Sequence, residues 1–269
     1  MSLSVSGSVA GAGGTMISYQ IDGPEDAPWL ILSNSLATDR RLWEPQMAGL
    51  TASRRVLRYD TRGHGKSGPG QAPYSFDELT DDVLALCTAI GILRADFMGI
   101  SLGGMTGLAL ALREPKLIER LICCDARADA PDPYKAIWDA NIAKLDEVGI
   151  GGLIDPTMQR WFTGPFLDDA ENTELLDLVR QMIAATSPVG YKGAAQCLQS
   201  LNLLKDLGQI ECPTLYATGA NDMAAPVAVM EDMTSRTPNA VFKIVPNAAH
   251  LSNLEQSDTF LTIAQEFLK

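Results

Sequence analysis

Short apolar runs alternate with longer amphipathic ones along most of this chain. Residues 15–21 alternate apolar and polar side chains, the period of a half-buried strand. Trp29, Leu30, Ile31 and Leu32 are continuously apolar and run into the polar Ser33-Asn34-Ser35, as a strand covered on both faces does. Residues 55–59, 95–100, 121–124, 214–218 and 241–245 read as further strands. Helical periodicity occupies 42–50, 75–90, 102–112, 226–236 and 257–269. Ser75 predicts an N-cap, and Glu78 three residues on completes a capping box. Strand and helix taking turns predict an α/β fold, a mostly parallel central sheet flanked by helices.

The rhythm breaks over residues 132–207. Helical patterns cover 134–148, 153–162, 172–185 and 191–201, with no convincing strand among them. This predicts a core built from 1–131 and 208–269. Residues 132–207 form a helical cap (lid) inserted over the carboxyl edge of the sheet. A chain of 269 residues, 46% hydrophobic, is long enough to bury such a core. No internal repeat is evident.

Charge and composition narrow the partners. A net charge of −12 argues against nucleic acid and anionic membrane surfaces. No apolar run reaches the length of a membrane span. Residues 1–15 are Ser/Gly/Ala-rich and lack both a basic segment and a long apolar one, so a signal peptide is not expected. Cys87, Cys123, Cys124, Cys197 and Cys212 are odd in number and form no C-x-x-C pair. They fit buried thiols in a reducing cytoplasm. Two histidines and no ligand spacing predict no metal site. Oligomeric state is not legible.

The candidate chemistry centres on Gly99-Ile100-Ser101-Leu102-Gly103, a G-x-S-x-G between a predicted strand and a predicted helix. That context predicts a nucleophile elbow, with Ser101 lifted above the sheet; an inert Gly/Ser turn is the competing reading. Ligands bind beyond the carboxyl ends of the strands in such sheets. The loops after 214–218 and 241–245 carry Asp222 and His250, giving the chain order Ser, Asp, His. A serine hydroxyl needs a base, and neutral imidazole suits that task. His250 would take the Ser101 proton while Asp222 orients the imidazole. Asp125, at the end of strand 121–124, competes for the acid's place. His64 sits in a Gly-rich turn and is read as structural.

An oxyanion needs two donors. The backbone N–H of Leu102 is one, and that of Leu36, in the loop after 29–32, is the other. Asn34 and Ser35 shape that loop. Trp138 and Trp161 in the insertion either line an apolar pocket or pack the cap. Met105 and Met233 are read as packing alone. Ser35, Arg127, Trp138 and Trp161 are the candidate substrate contacts.

These segments, with D-T-R-G-H-G-K-S from Asp60 to Ser67 and the helical insertion, resemble the α/β-hydrolase superfamily. A narrower resemblance is to the 3-oxoadipate enol-lactonases. It rests on L-S-N-S-L-A-T-D from Leu32 to Asp39, with Trp43 and Gln46 downstream. T-S-P-V-G-Y from Thr186 to Tyr191 and A-A-H-L-S-N-L-E from Ala248 to Glu255 carry it over nearly the whole chain. The resemblance implies cofactor-free hydrolysis of a small-molecule enol-lactone through an acyl-serine, in aromatic-compound catabolism, on a substrate bearing a carboxylate. The chain departs from that family at Asp125 to Pro131, where a small neutral segment is expected. Arg127 there either meets a substrate carboxylate or pairs with Asp125 or Asp129. Other carboxylesterases, thioesterases, amide hydrolases and perhydrolases of the fold stay open. So does a ligand-binding receptor with little turnover. Dehalogenases and epoxide hydrolases expect Asp at the elbow, and Ser101 argues against both.

Overall fold

The computed structural model describes residues 4–269. Its eight strands are β1 (Val5–Ala10), β2 (Met16–Asp22), β3 (Trp29–Ser33), β4 (Arg55–Tyr59), β5 (Ala95–Ile100), β6 (Ile118–Cys124), β7 (Thr214–Gly219) and β8 (Ala240–Val245). They form one sheet in the order β1-β2-β4-β3-β5-β6-β7-β8. The six strands from β4 to β8 in that order are mutually parallel. β2 is antiparallel to β4, and β1 to β2. All six positions of β5 and of β7 are buried, which is why these strands read as apolar runs rather than alternations.

Helices α1 (Glu44–Leu50), α2 (Phe76–Ile90) and α3 (Leu102–Arg113) follow β3, β4 and β5. Between β6 and β7 come α4 (Asp132–Val148), α5 (Ile154–Trp161), α6 (Gly164–Asp168), α7 (Thr173–Ala185) and α8 (Pro188–Gln199), with no strand of the sheet among them. The chain closes with α9 (Val227–Arg236), α10 (Ser252–Glu255) and α11 (Ser257–Leu268). α3 packs on β5 and β6, and α1 packs on α11. Leu30, Ile31, Leu32, Phe97 and Met98 are fully buried at the centre. Side chains of that size each stabilise the fold by about 1.5–3 kcal/mol.

Topology places the site. The chain leaves β3 for β4 on one side and then crosses to β5 on the other. The crevice beyond the carboxyl ends of β3 and β5 is therefore the switch point at which such sheets open a ligand site.

Local signals hold where side chains fix the backbone. Ser75 Oγ accepts from Glu78 N–H at 3.2 Å, and Glu78 Oε2 accepts from Ser75 N–H at 3.0 Å, so the capping box is present. The five cysteines are free and buried. Three features differ from the sequence reading. β1 lies in a segment read only as Ser/Gly/Ala-rich; it is an edge strand that buries little, so it carries no apolar signature. The 42–50 helix begins as a 3-10 turn over Arg40–Trp43 and becomes α-helical at Glu44, ahead of Pro45. The short α6 and α10 are too brief to show a period. No helix among the described residues is long and apolar enough to cross a membrane.

Candidate active site

Ser101 sits at the corner between β5 and α3 with φ 55° and ψ −118°, a backbone region that L-residues avoid. Its N–H donates to the Cys124 carbonyl at 2.8 Å, which ties the corner to the end of β6. The flanking glycines explain how the corner fits. A Cβ on Gly99 would stand 2.2 Å from the Gly103 carbonyl oxygen, and one on Gly103 would stand 2.2 Å from that of Ser33. Neither approach leaves room for a side chain, so the G-x-S-x-G spacing is steric.

The turn brings three buried side chains into a row. His250 Nε2 lies 3.0 Å from Ser101 Oγ, and His250 Nδ1 lies 2.8 Å from Asp222 Oδ2. The other Asp222 oxygen accepts from the N–H groups of Ala224 and Ala225 at 2.7 and 3.1 Å. Oδ2 is thereby left to the imidazole. With a carboxylate on Nδ1, the ring proton belongs there and Nε2 faces the serine as an acceptor. The His250 loop is held from the helical side. Leu251 N–H donates to the Trp161 carbonyl at 3.2 Å. Glu255 accepts from Ala249 N–H at 2.8 Å and from Thr163 N–H at 3.0 Å. The Trp161 ring lies 6.4 Å from the imidazole at 30°.

The loop after β3 forms the opposite lip. Asn34 Nδ2 donates to the Tyr59 carbonyl at 2.7 Å, and Trp43 Nε1 donates to Asn34 Oδ1 at 2.9 Å. Thr38 Oγ1 donates to the Ser35 carbonyl at 2.8 Å, and Ala37 takes φ 61° to complete the turn. Among the described residues the N–H of Leu36 has no acceptor in the chain. Leu102, as the first residue of α3, has no carbonyl one turn back to receive its own.

A cavity of about 520 Å³ opens from Ser101 and His250 and is roofed by α4, α5 and α8. Its wall includes Met105, Tyr134, Trp138, Arg160, Trp161 and Tyr191. Met105, read from sequence as packing alone, therefore faces the cavity as well. Burial pushes the Tyr134 and Tyr191 phenols up to about 12, so both remain neutral donors. Trp138 and Trp161 both face the cavity, and the Trp138 indole N–H is buried beside the Tyr134 hydroxyl, outside good hydrogen-bonding geometry. Ser35 Oγ is also buried and unpartnered at the wall.

The two wall arginines differ. Arg127 donates to Asp129 Oδ1 and to the Asp129 carbonyl, each at 3.0 Å, and stacks 4.6 Å over Tyr134. Arg160 lies 5.7 Å over the Trp138 ring, and no carboxylate among the described residues is within ion-pairing distance of it. The sequence reading missed Arg160. Its one signal was a cation next to Trp161 in a helix of the insertion. Asp125 makes no hydrogen bond to His250. His64 is buried in its own turn, with Nδ1 2.9 Å from the Arg62 carbonyl, and burial lowers its pKa. No cluster of three or more His, Cys, Asp or Glu among the described residues can hold a metal ion.

The model of the alpha/beta hydrolase fold family matches residues 28–257. The chain belongs to that family. This hydrolase is 34% identical to "3-oxoadipate enol-lactonase 1" of Acinetobacter baylyi, over 95% of the chain and 94% of the relative. It is 31% identical to "Putative carbamate hydrolase RutD" of Caulobacter sp., over 91% of the chain and 92% of the relative. Among solved structures, the enol-lactonase from Burkholderia xenovorans LB400 superposes with a TM-score of 0.93 at 36% identity. That match covers 97% of this chain and 99% of the other.

Proposed function

We propose that this hydrolase opens a small lactone or ester through an acyl-serine at Ser101, and that its substrate is an enol-lactone bearing a carboxylate. The observation that carries the reading is the buried row Asp222–His250–Ser101 opening onto the aromatic cavity. The similarity to enol-lactonases over nearly the whole chain supports the narrower substrate.

The chemistry follows from the geometry. Ser101 Oγ attacks the carbonyl carbon as its proton passes to His250 Nε2, and Asp222 stabilises the imidazolium. The N–H groups of Leu36 and Leu102 receive the charge on the carbonyl oxygen. Collapse breaks the ring C–O bond, and the leaving oxygen takes the proton from His250. From an enol-lactone this oxygen departs as an enol and tautomerises to the ketone. A water then gives a proton to His250 and attacks the acyl-serine. The second collapse frees the acid and restores the Ser101 hydroxyl. Residues 132–207 act as the cap, and Arg160 with Trp138 and Ser35 orients the substrate carboxylate while Arg127 shapes the wall. The buried free thiols support a cytoplasmic setting.

The test follows loss of 3-oxoadipate enol-lactone with wild type and Ser101→Ala, against a pH-matched blank. An activated ester and a carbamate ester run in parallel. Fast turnover of the lactone that depends on Ser101 is expected. Turnover of only the ester or the carbamate keeps the nucleophile and moves the substrate. Equal turnover by Ser101→Ala overturns the mechanism.

A further inference from the structure

Asp125 is fully buried at the end of β6, with φ 47°. One oxygen, Oδ1, accepts from Gly219 N–H at 2.8 Å and lies 3.3 Å from Thr218 Oγ1. The other, Oδ2, accepts from the Ser252 hydroxyl at 2.6 Å. Gly219 begins the loop that carries Asp222, and Ser252 is two residues beyond His250. The two loops meet at Gly219, where a Cβ would stand 2.1 Å from the Ala249 carbonyl oxygen. One carboxyl group therefore grips both loops at the place where they touch. Among the described residues no Lys, Arg or His forms an ion pair with it.

We propose that Asp125 is a positioning residue that holds the Asp222 and His250 loops in register, and that it does so as a neutral carboxylic acid. A carboxylate with no counter-ion is costly to bury. Burial first, and the charge of Asp222 second, raise its pKa well above the ordinary carboxylate range. In the neutral form the Ser252 bond reverses, Oδ2–H donating to Ser252 Oγ, and Oδ1 stays an acceptor for Gly219 N–H. An asparagine offers the same pattern, with its carbonyl oxygen toward Gly219 and its amide N–H toward Ser252. An alanine offers neither bond.

This inference rests on the Ser101–His250–Asp222 reading, so its experiment begins with fluorophosphonate labelling. Labelling of wild type and not of Ser101→Ala is expected; a wild type that does not label overturns that reading and the proposal with it. Labelling rates and turnover of an activated ester are then measured against pH for Asp125→Asn, Asp125→Ala and Ser252→Ala. Asp125→Asn should stay within about threefold of wild type at every pH. Asp125→Ala should lose about 30- to 100-fold in kcat with KM within about threefold, the scale of a misplaced catalytic group. Its acidic limb should move to lower pH, because the imidazolium loses its fixed carboxylate. Ser252→Ala keeps the Gly219 bond and should lose about 3- to 10-fold with a smaller movement of the limb. A loss of more than about 30-fold in Asp125→Asn overturns the neutral acid. An unchanged rate and limb in Asp125→Ala overturn the positioning role. If that variant does not fold, an unchanged rate and limb in Ser252→Ala do so instead.

Discussion

The floor and the roof of the cavity are built to opposite standards. On the floor, at the carboxyl ends of β5, β6 and β7, the polar side chains are paired with one another. Ser101, His250 and Asp222 form a row, and Asp125 is bonded on both oxygens. In the roof of α4, α5 and α8, the Arg160 guanidinium has the Tyr191 hydroxyl and no carboxylate beside it, and the Trp138 indole N–H has only the Tyr134 hydroxyl, outside good hydrogen-bonding geometry. The floor's side chains are closed on one another, and the roof's donors have only weak, neutral partners within the chain.

Variants of the floor should act on kcat. Ser101→Ala should lose about 100,000-fold or more in kcat while keeping its fold and thermal midpoint. Asp222→Asn should lose about 1,000- to 10,000-fold, because the amide favours the wrong imidazole tautomer. A larger loss in Asp125→Asn than in Asp222→Asn would reverse the roles of the two acids. Steady-state kinetics on an activated ester checks both.

Variants of the roof should act on KM, and only for some substrates. Arg160→Met should raise KM for a carboxylate-bearing lactone by about 10- to 100-fold, the value of one charge-assisted contact. It should leave a neutral ester within about twofold. Arg127→Met removes a cation already neutralised by Asp129 and should discriminate less between the two substrates. Equal losses on both substrates in Arg160→Met would mean that the arginine only packs against Trp138.

The same contrast explains what was legible in the sequence. The elbow was legible because sterics at Gly99 and Gly103 leave almost no freedom in residue type. Asp222 and His250 were legible because strand order fixes which loops reach the switch point. The roof was legible in part: Trp138 and Trp161 were candidate wall residues and Asp129 a candidate partner of Arg127, whereas no local pattern set Arg160 at the cavity. The double grip of Asp125 was hidden for a related reason, since its partners lie 94 and 127 positions away. β1 was missed because an edge strand of small residues needs no apolar pattern.

The two histidines extend the comparison to pH. His64 belongs to neither surface of the cavity, and its burial lowers its pKa from the ordinary 6.5. The unfolded chain therefore takes up a proton below about pH 6.5 that the folded chain refuses. Its contribution to stability is complete above that pH and is lost as pH falls toward the lowered folded value. The slope cannot exceed about 1.4 kcal/mol per pH unit for one proton. Denaturant unfolding of wild type against His64→Gln isolates it, because the buried carboxylates cancel in the difference. A difference that does not change between pH 7 and pH 5 would contradict the assignment.

The smallest effect gives the sharpest test of the roof. Trp138→Phe keeps one aromatic ring between Tyr134 and Tyr191 and removes the Nε1–H together with part of the indole. The smaller ring should lower stability by about 1 kcal/mol through the space it leaves. The same change should raise KM for the carboxylate-bearing lactone by about 3- to 10-fold, since the substrate loses one N–H donor. Thermal unfolding without ligand and steady-state kinetics with it read the two halves separately. An unchanged KM would make Trp138 a packing residue of α4 and leave Arg160 as the roof's one contact for the carboxylate.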